Sequence, residues 1–354
     1  MENFLNKMQK IWDNKMMRIF ISAIILIILI IIIVLVATSK GGKSLTENGL
    51  VNASKKYLSS NANMLPTNEY DYRTINLDTL VSNGYIKSSN GCNGYVTVVK
   101  IDNEYVYTPY LNCGNNSNET LVNHIKANTV TNGDGLYNMN GNYIFRGENP
   151  NNYVSFGGLK WRIIGIDKSN NIKMMYSDIY VDYEVWDDRY NSVVDSQDGI
   201  NDYKVSRAKE YLDNYITNNA ELFTPERKAK LTRYDVCIGK VNMSDAKVDS
   251  CNEVLSNQLT SIITVNDYMN ASLDSACSTT NIKNCQNYNF LNLNGWTITA
   301  KNTDNLYVYY VNNEEGIVES KGYIGKAMRT IIALRNDTLL VSGTGTEIDP
   351  YTIK

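Results

Sequence analysis

Six cysteines carry the clearest chemistry in this sequence. They stand as three couples that are close in sequence, and an even number of cysteines favours disulfides in an oxidising compartment. The couples are Cys92 with Cys113, Cys237 with Cys251, and Cys277 with Cys285. We therefore expect disulfides, although the residues alone leave their connectivity open. The alternative is six reduced, buried thiols in a cytosolic domain.

An acidic segment with a tryptophan is the second set of residues suited to chemistry. We take it as a candidate ligand-contact loop, and its members are Asp182, Glu184, Trp186, Asp187 and Asp188. Two facing carboxylates with shifted pKa values would suit a cell-envelope hydrolase. Oxygen-rich loops also suit Ca²⁺, but neither this segment nor Asp195, Asp198 and Asp202 has the EF-hand order. A solvated loop is the simpler interpretation.

Catalytic motifs of the common enzyme classes are absent from the sequence. His124 is the one histidine, and a triad needs partners that sequence spacing does not supply. No Gly-x-Ser-x-Gly elbow, phosphate-binding loop or His-Glu-x-x-His pair occurs. We therefore predict a protein that is not an enzyme, with no catalytic residue, no cofactor and no bound metal.

The elements that position these residues begin with an apolar segment. The chain is uncharged from Ile19 to Ala37, and a helix of that length, about 28 Å, spans a bilayer core. The segment is longer than a signal-peptide core, and Val36-Ala37-Thr38 is a poor cleavage site. We predict a cytoplasmic tail over residues 1–18, a transmembrane helix over residues 19–38, and contact with the lipid bilayer through residues 19–37.

The cysteines decide the expected orientation, because lysines and arginine flank the apolar segment on both sides. All six cysteines follow the segment, which favours a cytoplasmic N-terminus and an extracellular C-terminal domain on a single-pass cell-membrane protein. The formal net charge is −3, and no basic run interleaves with aromatics, so nucleic acid is excluded as a partner. The expected partner is an unknown extracellular ligand or surface protein.

Residues 44–130, which we call the stem, predict a small α+β unit. An amphipathic helix follows Ser44, which with Glu47 forms a potential capping box. A β-hairpin then turns at Asp102-Asn103, with Cys92 and Cys113 at its ends.

Residues 131–354, which we call the head, predict a larger α+β fold with an antiparallel sheet. Strand patterns precede and follow helical patterns, an order typical of that class. One helix should bury an apolar stripe of Val205, Ala208, Leu212, Tyr215 and Ile216. Thr264 and Asp267 predict a capping box, and Trp161 and Trp296 are expected core residues.

The stem resembles the pilin-like proteins of Gram-positive bacteria. The residues that carry the resemblance are Leu65-Pro66, Leu80 with Gly84-Tyr85-Ile86, and Cys92-Asn93-Gly94-Tyr95-Val96 with Cys113. Prepilins have a Gly followed by Phe-Thr-x-x-Glu at the start of the apolar helix, whereas here Arg18 leads into Ile19-Phe20-Ile21-Ser22. The resemblance therefore implies a pilin-like stem on a fixed anchor.

The head resembles an uncharacterised domain of surface proteins in low-GC Gram-positive bacteria, which is distantly similar to the C-type lectin-like fold. The resemblance rests on Asn151-Asn152-Tyr153-Val154-Ser155-Phe156, Trp161-Arg162-Ile163-Ile164, Tyr211-Leu212, Asn266-Asp267-Tyr268, Asn287-Tyr288-Asn289-Phe290-Leu291, Trp296-Thr297, Arg329-Thr330-Ile331-Ile332-Ala333-Leu334 and Gly343-Thr344-Gly345-Thr346 with Pro350-Tyr351. The lectin-like Glu-Pro-Asn calcium motif is absent. The resemblance implies a surface-exposed binding, adhesion or display protein. A structural component of a pilus or secretion machine and an envelope hydrolase are the alternatives.

Overall fold

The computed structural model describes residues 27–28, 45–114, 119–178, 182–245 and 251–354. The predicted cytoplasmic tail lies outside the described residues, and so does the predicted transmembrane helix apart from residues 27 and 28. Within the described ranges, no helix is both long and apolar enough to cross a membrane.

The described chain has an α+β fold with short helices and mainly antiparallel strands, which confirms the α+β class and the antiparallel sheet of the prediction. The helices are α1 (Glu47–Ser60), α2 (Leu77–Ser82), α3 (Leu121–Ala127), α4 (Arg207–Asn218), α5 (Pro225–Lys228) and α6 (Val265–Ala271). The strands are β1 (Tyr72–Asn76), β2 (Asn93–Ile101), β3 (Glu104–Asn112), β4 (Gly135–Met139), β5 (Asn142–Arg146), β6 (Tyr153–Phe156), β7 (Leu159–Ile166), β8 (Ile172–Tyr176), β9 (Tyr183–Glu184), β10 (Tyr234–Cys237), β11 (Val254–Gln258), β12 (Thr260–Ser261), β13 (Gly295–Ala300), β14 (Tyr307–Asn312), β15 (Gly316–Lys321), β16 (Lys326–Ala327), β17 (Ile331–Leu334), β18 (Leu340–Ser342) and β19 (Tyr351–Ile353).

In the stem, α1 packs on the antiparallel sheet β1-β2-β3. Its N-cap is Thr46, whose hydroxyl accepts a hydrogen bond from the Gly49 amide, rather than the Ser44 that the sequence pattern predicted. The β2–β3 turn is the predicted Asp102-Asn103, and both residues have positive φ values. That conformation gives a two-residue turn whose twist matches the flanking strands.

In the head, the strand order of the large sheet is β12-β17-β8-β7-β6-β19-β18, and the β4–β5 hairpin also joins β7. All neighbours are antiparallel except β19 and β6, which are parallel. Strands β13, β14 and β15 form a second antiparallel sheet. Trp161 and Trp296 are buried, as predicted. Leu121, Val122 and Ile125 of α3 also pack in the head core, although the sequence placed them in the stem.

Three disulfides join the cysteine couples that are adjacent in sequence: Cys92–Cys113, Cys237–Cys251 and Cys277–Cys285. The first closes the open end of the β2–β3 hairpin, because its cysteines adjoin the paired residues Asn93 and Asn112. Each cross-link restricts the unfolded chain, which stabilises a fold whose hairpins are otherwise marginal alone.

The stem and the head meet at a set of polar and ionic contacts, which we call the stem–head junction and which comprises Arg335, Asp337, Thr97, Lys228 and Asp102. Arg335 donates to both carboxylate oxygens of Asp337, at 2.9 and 3.1 Å, and to the carbonyl of Ala229. The Thr97 hydroxyl of the stem donates to the same carboxylate at 3.0 Å. Lys228 of the head pairs with Asp102 of the stem at 2.8 Å.

Burial makes the pairing of Arg335 with Asp337 important for the stability of the fold. The Arg335 side chain is 5% exposed and that of Asp337 is 21% exposed, so each ion depends on the other for its lost hydration. The Tyr95 ring lies in the same region, where burial and then the charge of Asp337 raise the pKa of its hydroxyl to about 12. The part of the boundary around Arg335, Asp337 and Tyr95 is therefore largely desolvated.

Replacing Asp337 with Asn should destabilise the protein by about 3 kcal/mol, because the guanidinium of Arg335 would remain buried without a counter-ion. Urea unfolding of the full chain measures this change. Lys160→Met provides the control, since Lys160 and Glu347 form an exposed pair whose loss should change stability by less than about 1 kcal/mol. Equal small effects of the two substitutions would contradict the junction's role.

Candidate functional site

The structure separates the predicted acidic loop into buried and surface residues. The side chains of Trp186 and Asp187 are 0% exposed, and the Trp186 indole donates to the Thr297 carbonyl at 3.1 Å. These two side chains are therefore parts of the core, whereas Asp182, Glu184 and Asp188 reach the surface. Of the five predicted residues, only the latter three have side chains that a ligand could contact.

The surface carboxylates of the loop have different partners. Asp182 accepts a hydrogen bond from the Tyr211 hydroxyl at 2.6 Å, and Asp188 pairs with Arg207 at 3.1 Å. Burial, and then the charge of Asp182, raise the pKa of Glu184. Among these carboxylates, Asp182 and Glu184 are thus the two that the hydrolase alternative could use.

Asp187 is the centre of a buried hydrogen-bond network. Its two oxygens accept from the Arg189 guanidinium at 2.7 and 3.0 Å. The backbone amides of Ile200 and Arg207 donate to the same carboxylate at 2.7 and 3.3 Å. The buried Asp187 carboxylate therefore connects three points of the chain, at Arg189, Ile200 and Arg207.

Gly199 allows the chain to close around Asp187. Its φ is +81°, and an added Cβ would lie 2.2 Å from the Asp187 carbonyl oxygen. Only glycine adopts this backbone conformation without steric cost and also leaves that space. The segment from residue 187 to residue 201, which we call the braced loop, is shaped by this contact.

Two buried asparagines complete the braced loop. The Asn191 amide donates to the Gly199 carbonyl at 2.8 Å, and its backbone amide donates to the Ser196 carbonyl at 2.7 Å. The Asn201 amide lies within hydrogen-bond distance of three carbonyls, those of Lys301, Asp304 and Tyr307. Because buried polar groups are costly unless paired, these contacts fix one loop conformation.

A cleft of about 340 Å³ lies on one face of the large sheet. Ile144, Ile164 and Ile331 are among its apolar lining residues, and Lys173 and Asp235 also line it. Neither Lys173 nor Asp235 forms an ion pair with any described residue. A cleft of this size and mixed lining can hold a small ligand.

Sequence reasoning did not find this cleft, although a signal for it exists. Gly165 interrupts the apolar strand β7, where the pairing with β8 is irregular. An added Cβ there would lie 2.6 Å from the Tyr143 carbonyl oxygen. An isolated glycine in a strand often marks such a bulge or close approach of another backbone.

The remaining residues singled out in the sequence have local structural contacts. His124 lies 3.2 Å from Glu119 and edge-on to Tyr351. Asp198 pairs with Lys321 at 3.1 Å, and Asp202 accepts from the Lys204 amide. In the part of the chain that the structure describes, no group of three or more His, Cys, Asp or Glu residues could hold a metal ion.

Comparisons with protein-family models, with curated proteins and with solved structures found no match.

Replacing Asp187 with Asn should destabilise the protein by about 3 kcal/mol, because Arg189 would lose its buried counter-ion and the braced loop would lose its centre. Thermal unfolding, combined with limited proteolysis of the native protein, measures both effects, and cleavage should concentrate within residues 187–201. Asp188→Asn is the matched control, since its partly exposed pair with Arg207 should contribute less than about 1 kcal/mol. Unchanged protease resistance in the Asp187 variant would contradict the conclusion that Asp187 holds the braced loop in one conformation.

Proposed function

We propose that this chain is a membrane-anchored, surface-exposed binding or display protein without catalytic activity. In this proposal residues 19–37 form the anchor, the N-terminus is cytoplasmic, and the stem carries the head outside the cell. The ligand would be an extracellular molecule or another surface protein.

The observation that carries the proposal is the stem–head junction. The Thr97 hydroxyl of the stem donates to the Asp337 carboxylate, which Arg335 holds in place within the head, and Lys228 pairs with Asp102 across the same boundary. A head held in this way keeps one orientation relative to the stem. A fixed orientation suits display, because less conformational freedom is then lost when a partner binds.

The disulfides support an external location for the head. All three couples are bonded, and structural disulfides are stable in oxidising compartments and rare in the cytosol. The acidic segment supports a binding scaffold over a hydrolase, because two of its carboxylates, Asp187 and Asp188, are paired with arginines.

A structural role in a pilus or secretion machine is the second candidate. The packing of α1 on the sheet β1-β2-β3 favours it, because a helix packed on a small sheet is the arrangement that the resemblance to pilin-like proteins implies. Cross-linking through the apolar segment in cells would produce ladders of regular size if this role is correct, whereas the display proposal predicts discrete products.

Thiol mapping on intact cells tests the proposed topology. A membrane-impermeant reductant followed by an impermeant maleimide should label Cys251, whose residue is exposed, and mass spectrometry without reductant should find all three disulfides. A cysteine introduced at Asn6, in the predicted tail, should be labelled only after lysis. Six free thiols in unreduced cells, or labelling of the tail cysteine from outside, would overturn the proposal.

A further inference from the structure

Large apolar side chains are exposed on the braced loop and on the neighbouring β15–β16 loop. We call this set the apolar ridge, and its members are Tyr190, Val193, Val194, Tyr323 and Ile324. Val193 is 76% exposed and Tyr190 is 52% exposed. Single exposed apolar residues are ordinary on protein surfaces, but a group on adjoining loops marks an interaction site.

Hydrogen bonds and an ion pair hold the two loops together at their bases. The amides of Trp186 and Asp187 donate to the Gly322 carbonyl at 2.8 and 3.2 Å. Lys321 pairs with Asp198 at 3.1 Å and lies 5.7 Å from the centre of the Tyr323 ring. The ridge residues of both loops are thus attached to one scaffold.

The scaffold beneath the ridge is ordered before any partner binds. Asp187, Asn191 and Asn201 are buried polar residues whose hydrogen bonds serve the braced loop. Three buried polar side chains are many for one surface loop, because each costs free energy unless all its hydrogen bonds are made. It is explained if the loop must hold its apolar tips in a fixed arrangement, which lowers the entropy lost on association.

The charges around the ridge define the partner that fits it. The braced loop and the adjoining residues 321–325 contain four aspartates, against Arg189 and Lys321 as their cations, and Arg207 just outside the loop pairs with Asp188. Asp195 and Asp202 form no ion pair with any described residue, and they accept hydrogen bonds from Tyr190 and the Lys204 amide instead. The rim of the ridge is therefore acidic.

An acidic rim argues against two other occupants. A bilayer surface rich in anionic lipids would repel these carboxylates, since such membranes attract basic segments. A second copy related by two-fold symmetry would place the same acidic rim against itself, and opposed like charges weaken an interface.

We infer that the apolar ridge is a protein-docking surface whose partner presents an apolar patch flanked by lysine or arginine. This inference rests on the proposed function and names the surface and the partner's chemistry. Valine, isoleucine and tyrosine side chains would supply the buried centre of the interface, and the aspartates would supply its polar, salt-sensitive edge.

The test uses the full chain in nanodiscs of zwitterionic lipid and a phage-displayed library of random peptides. Selection should enrich peptides that combine aromatic or aliphatic residues with Lys or Arg. A labelled peptide from the enriched family should bind at least about tenfold more weakly to the Val193→Ser/Ile324→Ser variant, because hot-spot truncations commonly reach that size. Raised salt should also weaken binding.

Val341→Ser/Ile348→Ser is the matched control, because both residues are exposed and lie outside the ridge. It should bind the peptide like the unaltered chain, and both double variants should unfold at the same temperature as that chain. Failure to enrich any peptide family, enrichment of acidic peptides, or equal binding to both variants would overturn the inference. Self-association or binding to anionic vesicles that the ridge variant alone loses would overturn it too.

The outcome is separable from that of the proposed function. A head that thiol mapping places outside the cell, combined with no peptide binding at the ridge, would refute the docking surface alone. Free thiols in intact cells would refute the display proposal whatever the peptides show.

Discussion

The hydrogen bond from the Thr97 hydroxyl of the stem to the Asp337 carboxylate of the head, which Arg335 holds in place, is the interaction on which the arrangement of the two parts depends. Each ion has lost much of its hydration, so each depends on the other, and Asp337 also depends on the Thr97 hydroxyl of the stem. Lys228 and Asp102 add an ion pair nearby with one partner from each side, in which the Lys228 side chain is mostly buried and that of Asp102 is exposed. Ionic contacts of this kind require defined geometry, which a purely apolar boundary would not impose.

The braced loop uses the same physics on a smaller scale. A buried carboxylate, that of Asp187, gathers a guanidinium and two backbone amides, so the loop has one low-energy shape. Asp187 of the predicted ligand-contact loop thus has a structural role, and the nearby Tyr190 and Val193 remain exposed. The stem–head junction fixes the position of the head, and the hydrogen bonds of Asp187 fix the shape of the braced loop. The head therefore presents its surface in one arrangement.

Local features of this fold could be predicted from the sequence, whereas contacts between distant residues could not. The Asp102-Asn103 turn and the Thr264–Asp267 capping box depend on residues close in sequence, and both are present. Disulfides were expected among the six cysteines, but only the structure gives their pairing. Val205 was predicted in the apolar stripe of α4, but it precedes the N-cap Ser206 and is exposed, because the cap shifts the helix start. The contact of Thr97 with Asp337 spans 240 residues, and no local pattern encodes it.

The most direct test of a fixed head is a distance distribution between spin labels on the full chain in a lipid bilayer. Labels at exposed Lys56 on the stem and Lys283 on the head, each introduced by substitution to cysteine, report the orientation by pulsed electron paramagnetic resonance. The buried junction predicts one narrow distribution, which should broaden in the Asp337→Asn variant. A broad distribution in the otherwise unaltered chain would show that stem and head move independently, and it would contradict this account.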